Sequence, residues 1–374
     1  MRASAQIAAM AAARLGKLER LERRRALKPT SREGAGQAVR QGRALISFCD
    51  NDYLGLAHDP RMIAAAQAAA TDGAGAGASR LVTGDHPLNH AIETKLAAMK
   101  GLPAARLFGS GYLANIGVIP CLVGPGDRVL LDELAHACMH SGAKLSGAAI
   151  ETFGHNDLVD LDEKLAATTS GQCLVLTETV FSMDGDLAPL DAIQALCERH
   201  EAWLMTDDAH GFGVVQQSNP APVQMGTLSK AVGAYGGYVC GPQSFIDLLV
   251  SRARSFVYTT GLPPAVLGAI DQALEIIAAE PDRGGRAIAH AARFCQALGL
   301  PAPQSPIVPI VVGAETRALE WSAELEARGL LVTAIRPPTV PDGTARLRIT
   351  FSAAHQDSDV ETLIAALKSC MAPA

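Results

Sequence analysis

Along residues 105–240, short apolar runs alternate with helical stretches, and polar residues collect where the runs end. The runs lie at 105–108, 128–131, 173–177, 202–205 and 237–240; helices are predicted from Leu113 onward, over 190–199 and over 244–254. Strand and helix in alternation predict an α/β fold with a mostly parallel sheet covered by helices. Ligands bind such open sheets where the strands end. Here those ends carry Gly109 to Tyr112, Asp132 to His136, Glu178 to Asp186 and Met205 to Gly211.

A second, smaller α/β unit is predicted after a hinge-like segment, Pro281 to Gly285. It holds strands at 307–312, 331–335 and 345–351, and helices at 316–328 and 357–369. The division that follows is 1–45 for an N-terminal helix and arm, 46–280 for the large domain and 281–374 for the small C-terminal domain. A chain of 374 residues with 48% hydrophobic content can bury cores for both. Residues 1–28 read as one helix, not a leader peptide: the apolar stretch is short, broken by Gln6, and runs into Arg14 and Lys17. No stretch approaches the ~20 apolar residues of a membrane span.

Net charge excludes one function class. Lys and Arg number 32 against 38 Asp and Glu, which argues against a general nucleic-acid binder. The eight cysteines form no CxxC pair, so neither a zinc site nor a disulfide frame is expected, and a reducing cytoplasm is the simple location. The loop Gly73 to Arg80 is glycine-rich, but no strand precedes it. It reads as a place where backbones approach closely, not as a dinucleotide fingerprint.

Lys230 is the candidate centre. It follows a hydroxyl-bearing turn, Thr227-Leu228-Ser229, and precedes the small residues Ala231 to Gly237. An amine with open space and hydroxyls beside it suits an aldehyde cofactor that carries a phosphate. Upstream, Asp207-Asp208-Ala209-His210 closes an apolar run. An acid at a strand end followed by such a lysine is the layout of a pyridoxal 5'-phosphate (PLP) site. A solvated surface lysine is the bland alternative. A metal site at Asp207, Asp208 and His210 is the other, but no further ligand set with fitting spacing accompanies it. Glycines at the start of the helix near Leu113 expose free backbone N–H groups, a natural seat for an anion. The N-terminal charges Arg14 to Lys28 read mostly as a solvated helix face; the Arg23–Arg25 cluster is also a candidate for a phosphate-bearing substrate.

These motifs resemble the α-oxoamine synthases, PLP enzymes of fold type I with the aspartate-aminotransferase-like fold. The residues that carry the resemblance are Asn51-Asp52-Tyr53-Leu54-Gly55-Leu56, Phe181 to Asp186, Asp207 to Gly211, Gly226 to Lys230, Ala334 to Pro341 and Arg346-Leu347-Arg348. The resemblance implies a PLP-dependent acyltransferase. Lys230 would hold the cofactor and act as base, Asp207 would face the pyridine nitrogen, His136 would stack on the ring and His210 would bond its phenolic oxygen. Ser182 and Thr227 would bind cofactor oxygens, with Gly111 and Tyr112 beside the phosphate and Thr260 reaching the partner subunit's phosphate in a homodimer. Arg336 would clamp the amino-acid carboxylate, with Thr339, Asn51 and Arg23 also on the substrate side. Within the family the motifs point to the branch that joins L-alanine to a pimeloyl group carried on coenzyme A or on acyl carrier protein. Alternatives are a sister synthase using glycine or serine, an aminotransferase, and a non-catalytic partner subunit. One departure stands out: the connection from His210 to Lys230 is shorter than the family pattern, which puts substrate access in question.

Overall fold

The computed structural model describes residues 2–21, 23–167 and 171–371. Its main sheet has seven strands in the order Ala104–Phe108, Gly237–Gly241, Val223–Thr227, Trp203–Asp207, Cys173–Glu178, Arg128–Asp132, Ala149–Phe153. The last five run parallel, and Gly237–Gly241 is antiparallel to both its neighbours. The central strands are buried along their whole length, as expected when helices cover both faces. The expected mostly parallel α/β sheet is therefore present, with Gly237–Gly241 as its antiparallel strand.

Parallel register fixes where the polar strand ends fall. Glu178 pairs with Asp207, and Asp207 with Met225. Asp132, Glu178, Asp207 and Thr227 thus close four strands at the same edge. Helices beginning just beyond that edge add their first turns. His136 caps Ala137–Ser146 by accepting the Cys138 N–H, and Ser110 caps Gly111–Leu122 by accepting the Leu113 N–H at 3.1 Å.

Three features differ from the sequence expectation. The first helix spans Arg2–Arg20, and Arg23 to Arg25 lie in irregular chain beyond it. Out of the helix, Arg23 reaches Asp342 at 2.8 Å and Arg25 donates to Thr339 Oγ1 at 3.0 Å, contacts a continuous helix would not offer. Second, Ser31–Gly34, Gln37–Arg40 and Arg43–Ser47 form a sheet with Leu330–Leu331, so the arm pairs with the C-terminal unit. Third, the expected hinge at 281–285 opens the helix Arg283–Leu298. A Cβ on Gly284 would sit 2.6 Å from Val214 O, so the glycine there permits close packing, not bending. The loop 73–80 is a close-approach segment: Gly261 N–H bonds Ala78 O, and Ser79 bridges Thr260.

The C-terminal unit carries the sheet Ile307–Gly313, Ala345–Thr350, Thr333–Ile335, with Ala345–Thr350 in the middle. Its core gathers Phe294, Leu347, Ile349, Phe351 and Leu363 with Phe48 from the arm. That middle strand brings Arg346 and Arg348 to the strand ends of the large sheet. No helix among the described residues is long and apolar enough to cross a membrane.

A histidine absent from the sequence reading secures the loop 181–186 beside the strand ends. His155 Nδ1 lies 3.1 Å from Asp132 Oδ1, and Nε2 lies 2.8 Å from Asp186 Oδ2. Its ring stands edge-on to Phe181 at 4.3 Å. Burial alone would lower its pKa, but the bonds to Asp132 and Asp186 outweigh burial and lift it to about 10 from its ordinary 6.5. A raised folded-state pKa stabilises fully below the unfolded value and is lost as pH climbs through the folded one. The stabilising effect of this imidazolium is therefore expected to be complete below pH 6.5 and to vanish as pH passes about 10. Thermal melts of wild type and His155→Gln should differ near pH 6 and converge above pH ~10; a gap that persists undiminished at high pH would refute the charge-based account.

Candidate active site

Lys230 sits in the turn after strand Val223–Thr227, and Gly233 makes that turn possible. Gly233 has φ +71°, and a Cβ there would fall 2.5 Å from Ala57 N, so a side chain is excluded both by conformation and by space. The turn folds the lysine back over the strand ends. A cavity of about 230 Å³ opens above its amine, lined by Asn51, His136, Ser182, His210, Lys230 and Arg348, with Cys49, Met183, Thr333 and Ile335 completing the wall.

The amine lies 2.8 Å from His210 Nε2. On the ring's other side, His210 Nδ1 is 2.6 Å from the Tyr53 hydroxyl, itself fully buried. Burial pushes His210 well below its ordinary 6.5, and the charges of Lys230 and Arg348 push the same way; the imidazole is neutral near pH 7. Burial also lowers the Lys230 pKa, against the opposing pull of Asp207 and Glu178. A desolvated lysine of lowered pKa is the nucleophile that carbonyl chemistry requires.

Asp207 lies behind this wall, 4% exposed. Its Oδ2 accepts from Asn115 Nδ2 at 2.9 Å and its Oδ1 from the Ala209 N–H at 3.0 Å. Burial raises its pKa, while Lys230, Asn115 and His136 oppose the rise. Its register partner Glu178 is pushed well above the carboxylate range by burial and by the Asp207 charge. One Glu178 oxygen has no protein partner. The pair therefore favours a neutral Glu178 beside Asp207.

Arg348 is the member that sequence reasoning left without a role. It is 6% exposed and donates to Asn51 Oδ1 at 3.1 Å, to Tyr53 Oη at 3.3 Å and to the Ser182 carbonyl. All three partners are neutral, and among the described residues it forms no ion pair. Two residues earlier on the same strand face, Arg346 is matched by Asp184. A buried guanidinium without a counter-ion is costly, so Arg348 leaves the cavity with a charge that a carboxylate could match.

The other candidates fall around this centre. Gly111 starts its helix against Thr227: a Cβ would sit 3.3 Å from the Thr227 Cβ. Thr227 Oγ1 donates to Gly236 O and lies 2.8 Å from the exposed Ser229 hydroxyl. Tyr112 is half-exposed and donates to Ser141 Oγ at 3.2 Å. Arg23, Arg336 and Thr339 are not among the residues lining the Lys230 cavity. They line a neighbouring groove of about 710 Å³, together with Arg24, Arg25 and Lys28, and this groove shares Thr333 and Ile335 with the cavity. Within the groove Arg23 is ion-paired to Asp342. Thr260 is exposed, bridges Ser79 and does not line the Lys230 cavity. The short connection from His210 to Lys230 packs on the far side of Asp208: none of 211–222 lines the Lys230 cavity. Among the described residues no group of three acidic, histidine or cysteine side chains is placed to hold a metal.

The donor set fits PLP. An amine of lowered pKa matches the aldehyde, a buried carboxylate the pyridine nitrogen and a neutral imidazole the phenolic oxygen. A helix N-terminus whose glycine admits close approach, flanked by hydroxyls, matches the phosphate.

Residues 43–367 match the family described as aminotransferase class I and II, and the chain belongs to that family of PLP-dependent enzymes. A serine palmitoyltransferase from S. paucimobilis, solved with bound PLP and myriocin, superposes with a TM-score of 0.89 at 27% identity, covering 96% of each chain. Within this class, the 8-amino-7-oxononanoate synthase of Methylobacterium radiotolerans is 59% identical over 358 residues, 94% of this chain and 96% of that protein. The 8-amino-7-oxononanoate synthase of Francisella tularensis superposes with a TM-score of 0.73 at 25% identity, over 87% of this chain and 96% of that one. The chain belongs to the 8-amino-7-oxononanoate synthase family.

Proposed function

We propose that the protein condenses L-alanine with a pimeloyl thioester, releasing carbon dioxide and the free thiol carrier and yielding 8-amino-7-oxononanoate for biotin synthesis. The observation that carries this reading is the pairing of Lys230 with an unmatched Arg348 across one cavity that adjoins a long basic groove. The cavity has room and charge for a small α-amino acid. The groove, with Arg24, Arg25 and Lys28 on its wall, suits a phosphate-bearing acyl carrier.

When bound, PLP supplies an aldehyde that takes up an amine and a ring that withdraws electrons from the adjoining carbon. The chain supplies the rest. Arg348 fixes the carboxylate of the amino acid, so that its Cα–H faces Lys230. Lys230 Nζ, released to the substrate side, takes the Cα proton and later returns one. Asp207 would hold the pyridine nitrogen protonated, and His210, braced by Tyr53, would bond the phenolic oxygen. His136 would pack on the ring face, and Ser182 and Thr227 would hold cofactor oxygens. Gly111 and Tyr112 would hold the phosphate. On the substrate side, Asn51 steadies Arg348, Arg336 is the second candidate for the amino-acid carboxylate with Thr339 helping to hold substrate, and Arg23 meets the acyl donor along the groove. A homodimer is part of the reading: a second copy would cover Thr260 and the exposed Ile7, Met10, Leu15 and Leu18 of the first helix. The eight unpaired thiols suit the reducing cytoplasm.

The test is turnover. The purified protein should release carbon dioxide and free thiol from L-alanine with pimeloyl-CoA or pimeloyl-carrier protein. Release with glycine or serine but not alanine would assign it to a sister synthase instead. Arg348→Lys keeps the charge but loses the planar fork. It is expected to lower kcat/KM for the amino acid by about 10- to 100-fold, the worth of one charge-assisted hydrogen bond or two, and to leave KM for the acyl donor unchanged. Equal losses for both substrates in steady-state kinetics would remove Arg348 from the carboxylate.

A further inference from the structure

The helix Gly111–Leu122 does more than offer its first turn to the cavity. Asn115, one turn in, is wholly buried and gives its two amide hydrogens to different partners. One goes to Asp207 Oδ2 at 2.9 Å, the other to Cys138 Sγ at 3.0 Å. Cys138 Sγ in turn lies 2.7 Å from His136 Nδ1.

Chemistry sets the direction of this chain. An ionised Asp207 only accepts, so Asn115 must turn its amide nitrogen toward it. The Asn115 carbonyl oxygen is consequently left buried without a protein partner. His136 Nδ1 already accepts the Cys138 backbone N–H at 3.2 Å, so the imidazole proton sits on Nε2. Burial lifts the Cys138 pKa to about 12, which keeps the sulfur a thiol able to donate to that same Nδ1. Asp207 ends a strand and His136 caps a different helix. Asn115 and Cys138 are the side chains that join them.

We propose that Asn115 is a positioning residue: it aims the Asp207 carboxylate toward the Lys230 cavity and, through the Cys138 thiol, holds the His136 ring in the cavity wall. This rests on reading that cavity as the PLP site. The buried, unpartnered carbonyl of Asn115 is the mark of a residue kept for orientation, since an apolar side chain of similar size would fill the space without that loss.

The measurement is cofactor retention by the holoenzyme after dialysis at a series of pH values, read from the absorption of bound PLP. Asn115 helps keep Asp207 ionised, so Asn115→Leu should move acid-side cofactor release to higher pH by about one unit. Cys138→Val, which fills the space but cannot hydrogen-bond, should lower kcat about tenfold with the acyl-donor KM unchanged. Cys138→Ser should restore kcat to within about threefold of wild type. A retention curve for Asn115→Leu that superimposes on wild type overturns the proposal, as does Cys138→Ser as impaired as Cys138→Val. If Asn115→Leu does not fold, the Cys138 pair decides alone, because it leaves Asn115 and Asp207 in place. Should the wild-type absorption be identical in Lys230→Ala, the cofactor reading falls and takes this one with it. Should only Lys230→Ala change it, this inference alone fails.

Discussion

Lys230→Ala is expected to reduce turnover by about 10,000-fold and to abolish covalent capture of the cofactor. Two losses combine. The substitution removes the one amine that lines the cavity among the described residues, and with it the group that, in the proposed mechanism, would take and return the Cα proton. The protein should remain folded: Lys230 makes no ion pair among the described residues, and its one side-chain hydrogen bond is to His210. Borohydride reduction of wild-type holoenzyme followed by peptide mapping should find the cofactor mass on the peptide that contains position 230. In Lys230→Ala that mass should disappear while the melting temperature stays close to wild type. Cofactor recovered on Lys100 or Lys144 instead would dismantle the account. Lys100 is the instructive control, since it is also a well-buried lysine but is locked to Asp208 at 2.6 Å. Its amine is matched by a carboxylate, whereas that of Lys230 faces a neutral imidazole.

What could be read from the sequence follows from how each residue acts. The buried strands ending in Asp132, Glu178 and Asp207 are continuous apolar runs, and their order along the chain leads directly to a parallel sheet. Strand Ala149–Phe153 escaped because it is an edge strand with mostly exposed residues. Val223–Thr227 escaped because Gln224, Gly226 and Thr227 interrupt its apolar pattern although every residue is buried. The helix Arg283–Leu298 was hidden by its two glycines, of which Gly284 serves close packing against Val214 and Gly285 faces open space. At the site, Lys230, Asp207, His210 and His136 announce themselves by residue type within short motifs. Arg348 does not, because Arg346 shares its motif and its strand face. Only the position of Asp184 separates the paired guanidinium from the one aimed at the cavity. Tyr53, Asn115 and Glu178 act on partners tens to hundreds of residues away, and sequence spacing holds no record of such neighbours.

Asp207→Asn is expected to lower kcat by about a thousandfold, ~4 kcal/mol at 1.36 kcal/mol per decade. An amide cannot balance a protonated pyridine nitrogen, so the ring would lose the proton that makes it an electron sink. The hydrogen bonds around Asp207 allow the charge to be separated from the geometry. Both carboxylate oxygens receive N–H donors, from Asn115 and from Ala209. An amide at this position must turn its own NH₂ toward one of them, setting donor against donor in a buried place. Asp207→Asn alone should therefore also lose stability, by roughly 1–3 kcal/mol. Combining it with Asn115→Asp reverses donor and acceptor across the same 2.9 Å contact. The double variant should regain much of the melting temperature and none of the turnover, because the negative charge would sit one residue further from the cavity. Recovery of kcat in the double variant would mean that hydrogen bonding, not charge at Asp207, drives the chemistry. Unchanged kcat in Asp207→Asn would mean that the ring nitrogen is held elsewhere.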